Sequence, residues 1–156
     1  MGTVMMLERE TAPFEATERP IGKGQLVLVV EDRPRLSRTV SYICEFLSLP
    51  MERVGSGTDL SALLEQKQPM AVICELDGGG QDGCHVMKTV AMHDPALPIM
   101  LITGTDQMLI GAADAVEEIW GLSSVLKLRD APGLGDVVDF LFRTGRLGGS
   151  PRLRPV

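Results

Sequence analysis

Aromatic residues are scarce in this chain: one Trp, one Tyr and four Phe make up 4% of it. Its interior must therefore be filled by aliphatic side chains and by its nine methionines, which adapt to irregular gaps. Cysteine is rare as well. Cys44, Cys74 and Cys84 stand at wide, odd spacings with no CxxC pair, which excludes a disulfide framework and a cysteine zinc site. Three reduced thiols in a cytoplasmic chain are the expectation. The longest uninterrupted apolar runs, such as Leu26–Val30 and Met70–Cys74, have five residues, against the roughly 20 that a membrane helix needs. The first residues, Met1–Met6, show no basic segment leading into an apolar stretch, so no secretory signal is expected. Positive charge is in short supply: fifteen Lys and Arg face twenty-one Asp and Glu, a net −6. Nucleic-acid binding in general needs a basic surface to displace phosphate counterions, and this balance argues against it. Gly55-Ser56-Gly57 lacks the third glycine of a dinucleotide fingerprint, and neither a P-loop nor a nucleophile triad occurs. Those absences count against an unrelated nucleotide binder or enzyme.

What is present is one domain's worth of chain, 156 residues. That length supports a core without disulfides or structural metals. The charge is uneven. Residues 24–142 hold eight basic and seventeen acidic side chains, while residues 143–156 hold four arginines and no acid. Residues 1–23 show no sustained periodicity and read as a flexible N-terminal extension. Residues 145–156, rich in Gly, Pro and Arg, read as a flexible basic tail.

Residues 24–144 alternate regularly. Gln25–Val30, Met70–Glu75 and Ile99–Ile102 are aliphatic runs of the kind buried on both faces of a parallel sheet. Met51–Val54 and Ser123–Lys127 are shorter strand candidates. Between them lie helical stretches: Pro34–Leu47, with Leu36, Val40, Ile43 and Leu47 on one stripe; Asp59–Gln66, opened by Thr58; Cys84–Met92; Asp106–Trp120; and Pro132–Phe142, with Leu134, Val137, Val138 and Leu141 facing inward. Five strands alternating with five helices specify an α/β, doubly wound, five-stranded parallel sheet with helices on both faces.

Ligands of such folds bind outside the carboxyl ends of the strands. The first strand ends in Glu31-Asp32, the third in Glu75-Leu76-Asp77, the fourth in Thr103-Gly104 and the fifth in Lys127. Clustered carboxylates repel unless a cation joins them, and one or two carboxylates with waters suit Mg²⁺. A hydroxyl and an ammonium nearby would hold a phosphoryl oxygen. Carboxylate nucleophile, metal, hydroxyl and lysine together make a phosphoryl-acceptor site.

This arrangement resembles the receiver domain of two-component response regulators, over about residues 24–143. Leu28-Val29-Val30-Glu31-Asp32-Arg33-Pro34 looks like the family's first strand with its acidic metal-binding pair. Thr103-Gly104 is similar to its hydroxyl-plus-small-residue element, Lys127 to its lysine, and Asp82-Gly83 to the Asp-Gly that closes the loop after the third strand. The stretch Ile102–Leu128 further resembles receivers that precede cyclic-di-GMP phosphodiesterase domains. The resemblance implies a flavodoxin-like receiver fold, metal ligation by Glu31, Asp32 and Asp77 with Mg²⁺ as cofactor, and phosphoryl sensing by Thr103 and Lys127. It also implies a protein partner, whether a histidine kinase, an effector or a second copy of the chain, with no nucleic acid, no membrane and no enzymatic activity of its own.

The departures from the family pattern carry as much information. Glu75 lies eight residues before Gly83 and six after Pro69, the spacing of the family's phosphorylated aspartate. A glutamate carboxylate reaches about 1.5 Å further than an aspartate's, by one carbon–carbon bond, and displacements of about 1 Å can cost a hundredfold in positioned chemistry. Two readings follow. In the first, the chain is a stand-alone pseudo-receiver, with Glu75 a degenerate or mimicking acceptor reaching toward Thr103 and Lys127, acting through its helix four–strand five–helix five face. In the second, it is a conventional switch phosphorylated in the presence of Mg²⁺. Asp77 is the rival acceptor. The family's switch aromatic is replaced by Ser124, the proline after its lysine by Leu128, and its Met-Pro after the acceptor by Gly78-Gly79, which should loosen that loop. His85 and His93 read as surface or cap residues. Arg33, Arg35 and Arg38 read as a solvated face, with partner docking as the alternative, and Trp120 reads as a core residue.

Overall fold

The computed structural model describes residues 24–55, 57–78 and 81–149. The expected N-terminal extension, the last residues of the basic tail, Ser56, Gly79 and Gly80 lie outside the described residues.

The aliphatic runs become a five-stranded parallel sheet: β1 (Val27–Val30), β2 (Met51–Val54), β3 (Ala71–Glu75), β6 (Ile99–Ile102) and β7 (Val125–Leu128), in the order β2-β1-β3-β6-β7. A two-residue antiparallel pair, β4 (Asp77–Gly78) with β5 (Gln81–Asp82), follows β3 directly, and its register sets Asp77 opposite Asp82. Five helices cross between the strands: α1 (Leu36–Phe46), α2 (Leu60–Lys67), α3 (Gly83–His93), α4 (Gln107–Trp120) and α5 (Leu134–Gly149). This is the doubly wound class expected from the alternation.

Period two divides the core between the two faces of the sheet. Leu28, Val72, Cys74 and Leu101 meet Leu64, Met87, Val90 and Ala113 from α2, α3 and α4. Val29, Ile73, Met100 and Ile102 meet Val40, Ile43, Val137 and Leu141 from α1 and α5. The three thiols form no disulfide. Cys44 and Cys74 are buried, and burial pushes them up to about 11 and about 12. Thiols so raised stay protonated at neutral pH and act as small apolar groups.

Several element ends differ from expectation. The cap of α2 is Asp59 rather than Thr58: its backbone is extended and its carboxylate accepts the Ala62 N–H at 3.2 Å. The last strand runs from Val125 to Leu128 rather than from Ser123 to Lys127; just ahead of it the Ser124 carbonyl accepts the Ile99 N–H at 2.9 Å. Helix α5 begins at Leu134, past Pro132, and the Asp136 carboxylate accepts the Gly133 N–H at 2.9 Å. Leu134 is 67% exposed rather than inward, and Phe140 takes the buried place beside Val137 and Leu141. The helix continues to Gly149, past the expected domain end at 144, since no proline interrupts it before Pro151. Trp120 is 40% exposed rather than core, and the Lys88 ammonium lies 5.3 Å from its ring centroid, a cation–π distance.

The turn after β3 is held by a close approach. The Gly83 N–H donates to the Leu76 carbonyl at 3.1 Å, and a Cβ on Gly83 would stand 2.5 Å from the Leu76 Cα and 2.8 Å from the Glu75 carbonyl oxygen. Both clashing groups are backbone, so neither can rotate away. Gly83→Ala is expected to lower stability by about 1–3 kcal/mol through overpacking, seen as a lower urea midpoint. An unchanged midpoint would mean that the turn yields freely.

Candidate functional site

The carboxyl ends of β3, β6 and β7 and the start of α1 open into a cavity of about 540 Å³, lined by residues that include Arg35, Thr39, Glu75, Asp77, Thr103, Gly104, Arg129 and Asp130; Glu31 and Asp32, expected to converge there, are not among its lining. Backbone hydrogen bonds align these ends. Leu76 N–H donates to Ile102 O at 2.8 Å, Thr103 N–H to Leu128 O at 2.7 Å, and Gly104 N–H to Arg129 O at 3.0 Å. Gly104 adopts φ +69°, a turn conformation that glycine reaches without strain.

Glu31 is buried at the end of β1. Its carboxylate accepts the backbone N–H groups of Arg35 at 3.1 Å, Leu36 at 2.9 Å and Ser37 at 2.9 Å. Helix α1 has Arg35 as its N-cap residue, which offers no capping side chain of its own. Glu31 supplies the cap from outside the helix. Its negative charge also suits the positive end of the helix dipole. Arg53 on β2 braces the same loop, donating to the carbonyls of Glu31 at 3.0 Å and Asp32 at 3.3 Å. Asp32 is exposed, with Oδ1 beside Gly55 at the end of β2.

Glu75 is 17% exposed, and its carboxylate is ion-paired with the Arg35 guanidinium, itself 72% exposed. From the sequence, Arg35 reads as part of a solvated face. A cation at a helix N-terminus is disfavoured by the dipole, and that misfit was the available signal that Arg35 needs an acidic neighbour. Asp77 is exposed and lines the cavity from β4, and Thr103 lines it with its hydroxyl donating to the Gly104 carbonyl at 3.0 Å. Arg129, Asp130 and Thr39 also line it; nothing in their spacing marked them.

Lys127 departs from expectation. In register, Cys74, Leu101 and Lys127 stand side by side, as do Glu75, Ile102 and Leu128. The first row belongs to the α2–α4 face and the second to the α1/α5 face. The Lys127 ammonium is accordingly taken by α4, at 2.7 Å from Asp114 and 2.5 Å from Glu117. Its expected approach to Glu75 is replaced by these pairs. Hydrogen bonding to Asp114 and then to Glu117 holds Lys127 above the ordinary lysine value.

Mg²⁺ asks for oxygen ligands in near-octahedral geometry, at roughly 2.0–2.1 Å. The donor set here does not fit it: Asp32 is not among the residues that line the cavity with Glu75 and Asp77. Glu31 spends three of its roughly four lone-pair directions on backbone N–H groups, and Glu75 faces a guanidinium. Among the described residues no three His, Cys, Asp or Glu side chains group to hold a metal ion.

A doubly wound sheet in the order β2-β1-β3-β6-β7, with an acidic β1 end, an acid closing β3, a hydroxyl closing β6 and a lysine on β7, defines a class of phosphorelay modules. The chain belongs to it: the response regulator receiver domain model matches residues 27–121. Receiver domains are signalling modules of two-component systems; they commonly bind Mg²⁺ and interact with histidine kinases and effectors. A curated relative, the probable transcriptional regulatory protein TcrX of Mycobacterium tuberculosis, is 29% identical over 107 residues, 68% of this chain and 42% of that protein. The chain thus spans less than half the length of that relative. Among solved structures, the chemotaxis response regulator CheY4 of Vibrio cholerae is similar at TM-score 0.61 and 19% identity, over 77% of this chain and 98% of that one. A response regulator receiver domain from Bermanella marisrubri is similar at TM-score 0.62 and 16% identity, over 78% and 98%. These two likenesses carry the fold. No helix among the described residues is long and apolar enough to cross a membrane.

Two outcomes are expected from this geometry. Glu31→Ala removes the cap of α1 and should cost about 0.5–2 kcal/mol, with faster amide exchange at Leu36 and Ser37; unchanged exchange there would show that the cap is dispensable. Lys127→Met should cost about 0.2–1 kcal/mol near neutral pH, as half-exposed ion pairs do. Because Lys127 is raised in the folded chain, its contribution is complete below the ordinary lysine value of about 10.4 and is lost as pH climbs through the raised value. The stability gap between wild type and Lys127→Met should therefore close under strongly alkaline conditions, and a gap constant across that range would exclude the pairing.

Proposed function

We propose that this chain signals as a receiver in which Glu75 occupies the phosphoacceptor position without accepting phosphate efficiently, and that it acts through protein–protein contacts. The observation that carries this reading is the Glu75 carboxylate itself. It sits at the end of β3 and is held by the Arg35 guanidinium. A carboxylate in such a pair is a poorer nucleophile, because its electron density is stabilised by the cation it touches. The extra methylene moves it from the position an aspartate would take, and in-line attack on a phosphoryl group tolerates little displacement.

A contact role is supported on the β7 side of the sheet. Met108, Ile119 and Trp120 on α4, with Leu134 and Phe142 on α5, are large apolar side chains left exposed. Trp is enriched among residues that dominate binding energy at interfaces. The partner is a kinase, an effector or a second copy of the chain, and the Lys127 pairs with Asp114 and Glu117 help to set where α4 presents these side chains.

Incubation with acetyl phosphate and Mg²⁺, followed by intact mass, tests the reading. The wild type is expected to keep its mass. A stoichiometric gain of one phosphoryl group would overturn the reading in favour of a conventional Mg²⁺-dependent switch. Glu75→Asp in the same assay separates a defect of the acceptor from a defect of the pocket around it.

A further inference from the structure

We infer that Arg35 supplies, from within the chain, the positive charge that a divalent cation brings to a receiver's acidic pocket, so that this pocket is closed to Mg²⁺ as long as Arg35 is present. This rests on reading Glu75 as the acceptor-equivalent.

Three observations converge on it. The first is anchorage. The backbone of Arg35 is held in place, because its N–H donates at 3.1 Å to the buried Glu31 carboxylate. The side chain therefore starts from a set point on the cavity wall, and its guanidinium pairs with Glu75, which lines the same cavity. The second is matched length. The residue that departs from the family pattern, Glu75, is one methylene longer than an aspartate, and the partner it meets is the longest cationic side chain. A shorter carboxylate on β3 would leave a gap to Arg35. The glutamate and the arginine thus account for each other. The third is the use of the other acids. Glu31, which the family pattern assigns to metal, is consumed by three N–H groups of α1. Placing Mg²⁺ against Glu75 would set a doubly charged ion beside a guanidinium, and like charges at contact distance repel strongly. A guanidinium does not deprotonate in proteins and cannot dissociate as a metal ion does. The counterion therefore keeps its charge and stays tethered to the chain.

Mn²⁺ serves as a spectroscopic stand-in for Mg²⁺. Titration of the full chain with Mn²⁺, followed by the EPR signal of the free ion, should show no uptake by wild type at concentrations up to millimolar. Its melting temperature should be the same with and without Mg²⁺. Arg35→Ala and Arg35→Gln should each take up Mn²⁺, at least about tenfold more tightly than wild type, with a melting temperature that rises on adding Mg²⁺. The glutamine variant keeps most of the side-chain bulk should the alanine variant fold poorly. Uptake by wild type as tight as by the variants would overturn the inference. So would a lack of uptake by both variants, since Arg35 would then not be what excludes the ion. The outcomes separate from those of the functional reading: a wild type that binds Mn²⁺ yet keeps its mass with acetyl phosphate refutes this inference alone, and one that binds Mn²⁺ and gains a phosphoryl group refutes the two together.

Discussion

A carboxylate buried at the end of β1 organises one whole side of this molecule. An ionised group removed from water is costly unless its lone pairs are met, and Glu31 meets that condition by accepting three N–H groups from the first turn of α1. Those donors are among the ones a helix leaves without partners at its start. One residue thus satisfies itself and the helix. It also fixes where the chain turns from strand to helix, and so where Arg35 departs and where Glu75 finds its counterion. Arg53, bound to the carbonyls of Glu31 and Asp32, holds the same turn from the β2 side.

The sheet separates the two charge systems of the site. Glu75 is paired on the α1/α5 face, and Lys127 is paired with α4 on the opposite one. In an arrangement where a lysine reaches the acceptor, events at the acceptor would be felt at once by the last strand. Here the lysine reports on α4 instead. The position of α4 depends on ion pairs of its own with β7, and the acidic pocket is left with an arginine from α1. Both substitutions of partner follow from side chains competing for the nearest opposite charge, not from any change in fold.

Much of the architecture was legible in the sequence, and the reasons are physical. Strands buried on both faces must be continuous aliphatic runs, and Met51–Val54 and Ile99–Ile102 formed at their expected bounds. Helix ends were less legible. Thr58 and Asp59 are both capping residues side by side, and backbone geometry chose the second. Leu134 fits the apolar stripe by count, but it is the first residue of α5 and stays exposed. At the site, two independent counts placed Glu75, and strand ends placed Asp77 and Thr103, all three on the cavity. The direction of Lys127 was hidden, because strand position says which edge a residue reaches but not which acid wins it. Asp114 and Glu117 stand three apart, on one face of α4, and that pairing was the overlooked clue. Arg35 was missed because a guanidinium 72% exposed looks like any surface arginine until its acidic neighbour is placed.

Lys127 has one more consequence. Strands β2 and β7 are the outer members of the sheet, and each is four residues long. An open edge presents unpaired backbone groups on which a further chain can add as an extra strand. Both edges here are short and charged, with Glu52 and Arg53 on one and Lys127 on the other. The lysine tied to α4 thus also stands guard at an edge, opposing aggregation by strand addition.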